Sequence, residues 1–252
     1  MNRDKVIWAF ERYVSEYDLN NSNIYTKYVH TGRVASNCEY IAESIGLSKE
    51  DRNIAWEIGM LHDIGRFEQL RRYHTFDDFR SMDHAKFGAD LLFKNGLIKY
   101  FEDNEMIYPI LEKAVRYHSM YRLPKDLSER ELQFCQILRD ADKVDIYKSC
   151  YEAGLENVYY VTTEEVRDSE ITPEVYQVFW EERAIPKNIR KTVADHLVGH
   201  IALTFELVYP ESRKLAVEQG YLKKMLEIEF NNSRTIEKMK IIRERIIEEY
   251  FI

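Results

Sequence analysis

This chain has few of the residues that end or staple structure. Of its 252 residues, nine are Gly, five Pro and three Cys. All-β folds need many tight turns, so this scarcity argues for long helices. Cys38, Cys135 and Cys150 are odd in number and lack CxxC spacing. They exclude a disulfide framework or a zinc ribbon and make a reducing cytoplasm the expected compartment. No apolar run approaches the roughly 20 residues of a membrane span. The N-terminus MNRDKVIWAFERYV mixes charges among its apolar residues, so it does not read as a signal peptide. A surplus of positive charge is also missing. The formal charge of -8 argues against a broad nucleic-acid or anionic-membrane surface, while leaving room for a local basic pocket.

What the chain does have is helical periodicity. Val6, Ile7, Phe10, Val14 and Tyr17 predict a helix over 4–18, and Val34, Cys38, Ile41 and Ile45 one over 24–45. Ser48 is placed to cap the next, with Asp51 reaching back. That helix carries Ile54, Ala55, Ile58 and Leu61 and stops near Gly65. Residues 66–80 show no clear period and read as a loop with at most one helical turn. Further helices are expected over 82–94, capped by Ser81, and over 105–118. Another runs from a Ser128–Glu131 capping box through Asp142 to about 150. In the last third, Thr172-Pro173 marks a helix start, a long apolar helix is expected over 188–209, and Ser212 is placed to cap its successor. The last helix is expected at 234–250. Without repeats or Ser/Gly linkers, the simplest organisation is one all-α domain over 1–252, with a core at about 24–150 and a helical extension over 151–252.

His30, the adjacent pair His62-Asp63, His84 and His118 each fall on or near the end of a different expected helix. Asp142 lies on another, in ILRDADKVD. Imidazole and carboxylate together suit first-row divalent metals rather than calcium, and helical domains build metal sites from side chains of separate helices. Taken singly, each His also reads as a helix cap or dipole partner. Arg66 and Lys143 are placed as phosphate-binding cations or as surface ion-pair partners. Asp140 competes with Asp142 for a ligand position. Asp145 can orient a ligand or pair with Lys148. In 67–83, Arg71, Arg72 and His74 can meet anions and Tyr73 or Phe76 can stack on a base, or the segment can be a solvated loop. His196 and His200 share a helix face, but HLVGH lacks the Glu of HExxH, so packing or pocket lining is the expected role.

The order of these residues, and the strings HTGRVASNCEYIA, GMLHDIGR, DHAKFGADLL, AVRYHS and ILRDADKVD, resemble the HD-domain metal-dependent phosphohydrolases over about 28–150. The resemblance implies an all-α HD-domain helical bundle. It implies that His30, His62, Asp63 and Asp142 hold one divalent ion, and that Asp63, His84 and His118 hold a second. Iron, Mn, Co, Ni or Zn are the expected metals, with Mg also compatible. Asp63, Arg66 and Lys143 then read as catalytic, and Arg66, His74 and Lys143 as substrate-binding. The implied reaction is hydrolysis of a phosphomonoester or small phosphodiester by metal-activated hydroxide.

The chain fits none of the specialised branches. YHSMYRLP does not match the GYP type, and GRFEQL offers only Glu68 where an acidic pair marks guanosine tetraphosphate hydrolases. Arg66 follows Gly65 where dNTP triphosphohydrolases show Gly-His. A stand-alone enzyme acting on a nucleotide or another phosphorylated metabolite is the expectation, with no membrane and no large nucleic-acid partner and with a homodimer compatible. The alternatives are a non-catalytic nucleotide-binding or sensory HD protein and, behind it, a di-iron oxygenase.

Overall fold

A computed structural model describes residues 2–159 and 161–251. Among these residues the regular structure is helical throughout, with no strand. The chain divides into two compact units, Met1–Asp142 and Lys143–Ile252. The first holds α1 (Arg3–Val14), α2 (Ser22–Ser44), α3 (Lys49–Leu61), α4 (Ile64–Tyr73), α5 (His84–Ala89), α6 (Tyr108–Tyr117) and the start of α7 (Glu129–Ala153). The second holds the end of α7 and then α8 (Leu155–Tyr159), α9 (Thr163–Asp168), α10 (Pro173–Phe179), α11 (Val193–Ile201), α12 (Pro210–Glu218), α13 (Tyr221–Leu226) and α14 (Ser233–Tyr250).

Local chemistry sets the helix starts. Asn2, Asn21 and Ser48 each accept a backbone N–H of the first turn through the side chain, which satisfies a donor the helix cannot. Ser128 and Glu131 form the expected reciprocal box, at 2.8 and 3.3 Å. Thr172 caps α10 with Pro173 at its first position. On α1, Val6, Ala9, Phe10 and Val14 form the buried face. Phe10 meets Phe67 edge-on with ring centroids 5.9 Å apart, and Leu61, Ile64 and Leu138 of the same unit are also buried.

Five elements differ from the sequence expectation. Residues 64–73, expected mostly as loop, form α4. Its buried face mixes Ile64, Phe67 and Leu70 with Glu68 and Gln69, and these two inward polar residues hide the apolar period. Glu68 is held there by Arg71, Arg72 and Tyr17. The helix expected over 82–94 is capped by Asp83 rather than Ser81, and after Ala89 it widens into a π-helical turn, Asp90–Lys94. The single helix expected over 188–209 is broken. A Thr192–Asp195 capping box starts α11, which ends at Ile201 and passes into a 3₁₀ turn, Ala202–Glu206. Ser212 lies inside α12, which begins at Pro210. Helix α1 also ends at Val14, short of 18.

Two backbone-to-backbone approaches position the site. A Cβ on Gly59 of α3 would lie 2.4 Å from the Cα of Ala35 on α2, and one on Gly65 of α4 would lie 2.4 Å from the His84 carbonyl oxygen of α5. Gly65, near which the preceding helix is expected to stop, instead sits inside α4, where its missing side chain admits α5. The second unit has its own core, which includes Val144, Tyr147, Phe179, Leu197, Ile201, Leu222, Met225 and Ile242.

The α2–α3 contact predicts opposite outcomes for two glycines. Gly59→Ala should lower stability by about 1–3 kcal/mol through overpacking. Gly32→Ala, with nothing within 4 Å of the added carbon, should be neutral or stabilising by up to about 1 kcal/mol. Urea unfolding midpoints test the pair; equal effects would contradict the packing described.

Candidate metal centre

The last carbonyls of a helix lack intrahelical partners. Helices α3 and α6 each end on a histidine that uses this. His62 Nδ1 lies 2.7 Å from the Gly59 carbonyl, and His118 Nδ1 lies 2.7 Å from the Val115 carbonyl. Each carbonyl can only accept, so Nδ1 carries the proton and Nε2 keeps a free lone pair. His84 opens α5, and its Nδ1 is 2.7 Å from Asp78 Oδ2, which fixes the same tautomer. Asp63 occupies the N-cap position of α4 but makes no side-chain cap bond. Its carboxylate faces the imidazoles instead.

The two oxygens of Asp63 are divided. Oδ2 lies 3.6 Å from His30 Nε2 and 3.5 Å from His62 Nε2. Oδ1 lies 3.4 Å from His84 Nε2 and 3.7 Å from His118 Nε2. Within the pairs, the Nε2 atoms are 3.3 Å apart for His30 and His62 and 3.1 Å apart for His84 and His118. Asp142 Oδ1 adds a donor 3.2 Å from His30 Nε2 and 3.9 Å from His62 Nε2. His30, His62, Asp63, His84 and His118 are all buried. His30, His62 and Asp63 form one group able to hold a metal ion, and Asp63, His84 and His118 another.

The donor set fits a divalent metal. Lone pairs of imidazole nitrogens and carboxylate oxygens converge in a buried space, and such an arrangement calls for a cation. Bonds of about 2.0–2.2 Å put neighbouring donors roughly 3–3.5 Å apart, close to the spacing found. Imidazole with carboxylate suits first-row divalent metals. Burial lowers the His84 imidazole to about 3, with the Arg66 charge adding to the effect, so this ring is neutral and ready to ligate. Burial alone would raise the Asp63 carboxyl, but the Lys27 ammonium and the surrounding histidines outweigh it and hold it well below the carboxylate range. At Asp142 burial is likewise outweighed, by the hydrogen bond and charge of His30.

The remaining sequence candidates fall in different places. Arg66 lies against the centre but is enclosed. Its Nη1 is within 2.7 Å of Gln69 Oε1 and the Phe76 carbonyl and 2.9 Å of Asp78 Oδ1. Its Nε is buried, 3.6 Å from Asp63 Oδ1 and without a hydrogen-bond partner. His74 caps the end of α4 in a left-handed conformation, with φ at 55°. Lys143 is buried and opens the second unit, as is Asp145, which lies 2.9 Å from Ser149. Asp140 is buried.

Two residues at the centre escaped the sequence reading. Lys27 places Nζ 2.7 Å from Asp63 Oδ2, with 20% of its side chain exposed, and lies over the Phe76 ring at 5.6 Å. Its position one turn before His30 on α2 was the available signal. Asp78 joins His84, Arg66 and Gln69. Burial would raise its carboxyl, but His84 and Arg66 outweigh that and hold it well below the usual range. Its only sequence signal was a loop with several acids, of which Asp83 caps α5 instead.

A neutral His84 has a consequence for pH. An exposed imidazole titrates near 6.5, so below that pH the unfolded chain takes the proton first. Stability then falls as pH drops through the window between about 6.5 and about 3. His200, also lowered to about 3 by burial, acts with the same sign. In chelator-treated protein, His84→Gln should flatten part of the loss of urea midpoint between about pH 7 and pH 5. An unchanged slope would mean that His84 is not held neutral.

Residues 28–147 match the family model of the HD domain. No curated protein and no solved structure matches the chain. The matched span begins in α2, ends in α7 and takes in every side chain of the two donor groups together with Asp142. The chain therefore contains an HD domain, at residues 28–147.

Proposed function

We propose that the protein is a metal-dependent phosphohydrolase acting on a phosphomonoester or small phosphodiester, with a nucleotide or another phosphorylated metabolite as substrate. The observation that carries this reading is the division of Asp63, one oxygen towards each pair of Nε2 atoms. His30, His62, Asp63 and Asp142 would hold one ion, and Asp63, His84 and His118 a second. A bound divalent ion supplies Lewis-acid stabilisation of phosphoryl charge and makes water a competent nucleophile near neutral pH.

The chain's own groups orient and bind. The Gly59 and Val115 carbonyls and Asp78 fix three imidazoles in the tautomer that presents Nε2. Arg66, with its guanidinium on Asp78 and the Phe76 carbonyl, positions the His84 support. Lys27 is the better placed cation for the substrate's phosphoryl group, because its ammonium is at the centre and its side chain is partly open to solvent. Phe76, flanked by Lys27 and Arg66 at 5.6 and 5.7 Å, offers an aromatic face beside that position.

The test is a screen of phosphorylated metabolites for released phosphate. Mn-, Co- or Ni-loaded protein should release phosphate from at least one of them, and Asp63→Ala should not, at unchanged helical circular dichroism. Iron-dependent oxygen consumption without phosphate release would instead favour an oxygenase. A second prediction concerns Asp78. Partners that orient ligating histidines typically contribute about 10–100-fold in metal affinity. Asp78→Asn should therefore weaken binding to that extent in a calorimetric titration, and unchanged affinity would remove Asp78 from the site.

A further inference from the structure

The HLVGH string of α11 takes no part in the HD domain, yet it gathers polar groups. Arg190, half-buried just before α11, donates from Nε to the Ile185 carbonyl at 3.1 Å, and its Nη2 reaches the same oxygen. A guanidinium has five N–H groups, so three remain. Among the described residues Arg190 makes no ion pair with a carboxylate. Asp195 is close enough to favour its charge. However, Asp195 accepts the backbone N–H groups of Thr172, Lys191 and Thr192 at 2.8, 3.0 and 3.3 Å and the Thr172 hydroxyl at 3.1 Å.

Gly199 explains how the cation reaches the helix. A Cβ there would lie 2.3 Å from Arg190 Nε, 2.4 Å from Cζ and 2.7 Å from Nη1. The guanidinium therefore rests on the backbone of α11 at the residue before His200 and within one turn of His196. His196 is stacked on Tyr159, with ring centroids 4.5 Å apart and planes at 22°. His200 Nε2 lies 3.8 Å from Cys150 Sγ, and His200 Nδ1 is buried with no hydrogen-bond partner. Burial lowers both imidazoles, and the charges of Arg190 and Lys187 lower them further.

A half-buried guanidinium with no carboxylate ion pair among the described residues rests on the helix that carries a buried ring nitrogen without a hydrogen-bond partner, an arrangement that an anion can complete. We propose that Arg190, His196, His200 and Tyr159 form a binding site for a phosphoryl group in the second unit, outside the HD domain. The Arg fork suits phosphate. A carboxylate has only two oxygens, whereas a phosphoryl group has three or more with which to meet the remaining guanidinium N–H groups and the imidazoles of the same helix. Inorganic phosphate and a phosphomonoester share this chemistry.

The probe is inorganic phosphate, added to the chelator-stripped 252-residue chain while the imidazole C–H resonances are followed by NMR. His196→Gln and His200→Gln assign the two relevant signals. Both should shift together and saturably with phosphate, and not with chloride at matched ionic strength. Arg190→Gln should weaken the effect about ten-fold or more, as expected for the loss of charge-assisted hydrogen bonds. No saturable shift at these two signals, or an equal shift with chloride, would overturn the proposal from the wild-type titration alone. So would an unchanged midpoint in a folded Arg190→Gln. A phosphomonoester titrated in the same way separates a free-phosphate site from one that takes the ester.

Discussion

One carboxylate shared between two pairs of imidazoles is the constraint around which the first unit is arranged. Asp63 can face both pairs only if four helices deliver their histidines to within 3.4–3.7 Å of its oxygens. Backbone contact achieves this where side chains would keep the helices apart. Gly59 lets α3 touch α2, which brings His62 to His30, and Gly65 lets α4 touch α5, which brings Asp63 to His84. The chain turns between α3 and α4 at His62 and Asp63 themselves. Candidate donors and helix junction are thus the same two residues, and the geometry of one fixes the other.

The electrostatics follow from that placement. A buried carboxylate needs positive charge beside it, and Lys27 and Arg66 supply it from α2 and α4. They differ in freedom. Arg66 is enclosed by Gln69, Asp78 and the Phe76 carbonyl, so its charge acts on the scaffold of the site. Lys27 has one ion pair and a partly open side chain. Arg66, which follows HDIG and reads from sequence as a phosphate-binding cation or an ion-pair partner, bonds in the folded chain to Asp78, the carboxylate beside His84. The lysine one turn before His30 has the better access.

The apolar pattern and the caps made most of the helices legible. Asn, Ser and Thr caps and the glycine after α2 act locally, and local chemistry can be read along a string. Helix α4 was not legible, because Glu68 and Gln69 point inward and break the apolar period, and their partners, Tyr17 and Asp78, are distant in sequence. The break before α11 was hidden for a related reason. It depends on Asp195 bonding to Thr172 and Lys191 across a turn. At the site, the residues that the family resemblance implies as ligands lie together as donors. Lys27 has only its place one turn before His30 to mark it, and Asp78 nothing that separates it from the other acids of its loop, since their contacts are made only on folding.

The division of Asp63 can be tested directly by anomalous diffraction from crystals grown with manganese. The account predicts two anomalous peaks flanking Asp63, one among His30, His62 and Asp142 and the other between His84 and His118. A single peak bound away from Asp63, or metal held without contact to either of its carboxylate oxygens, would contradict it.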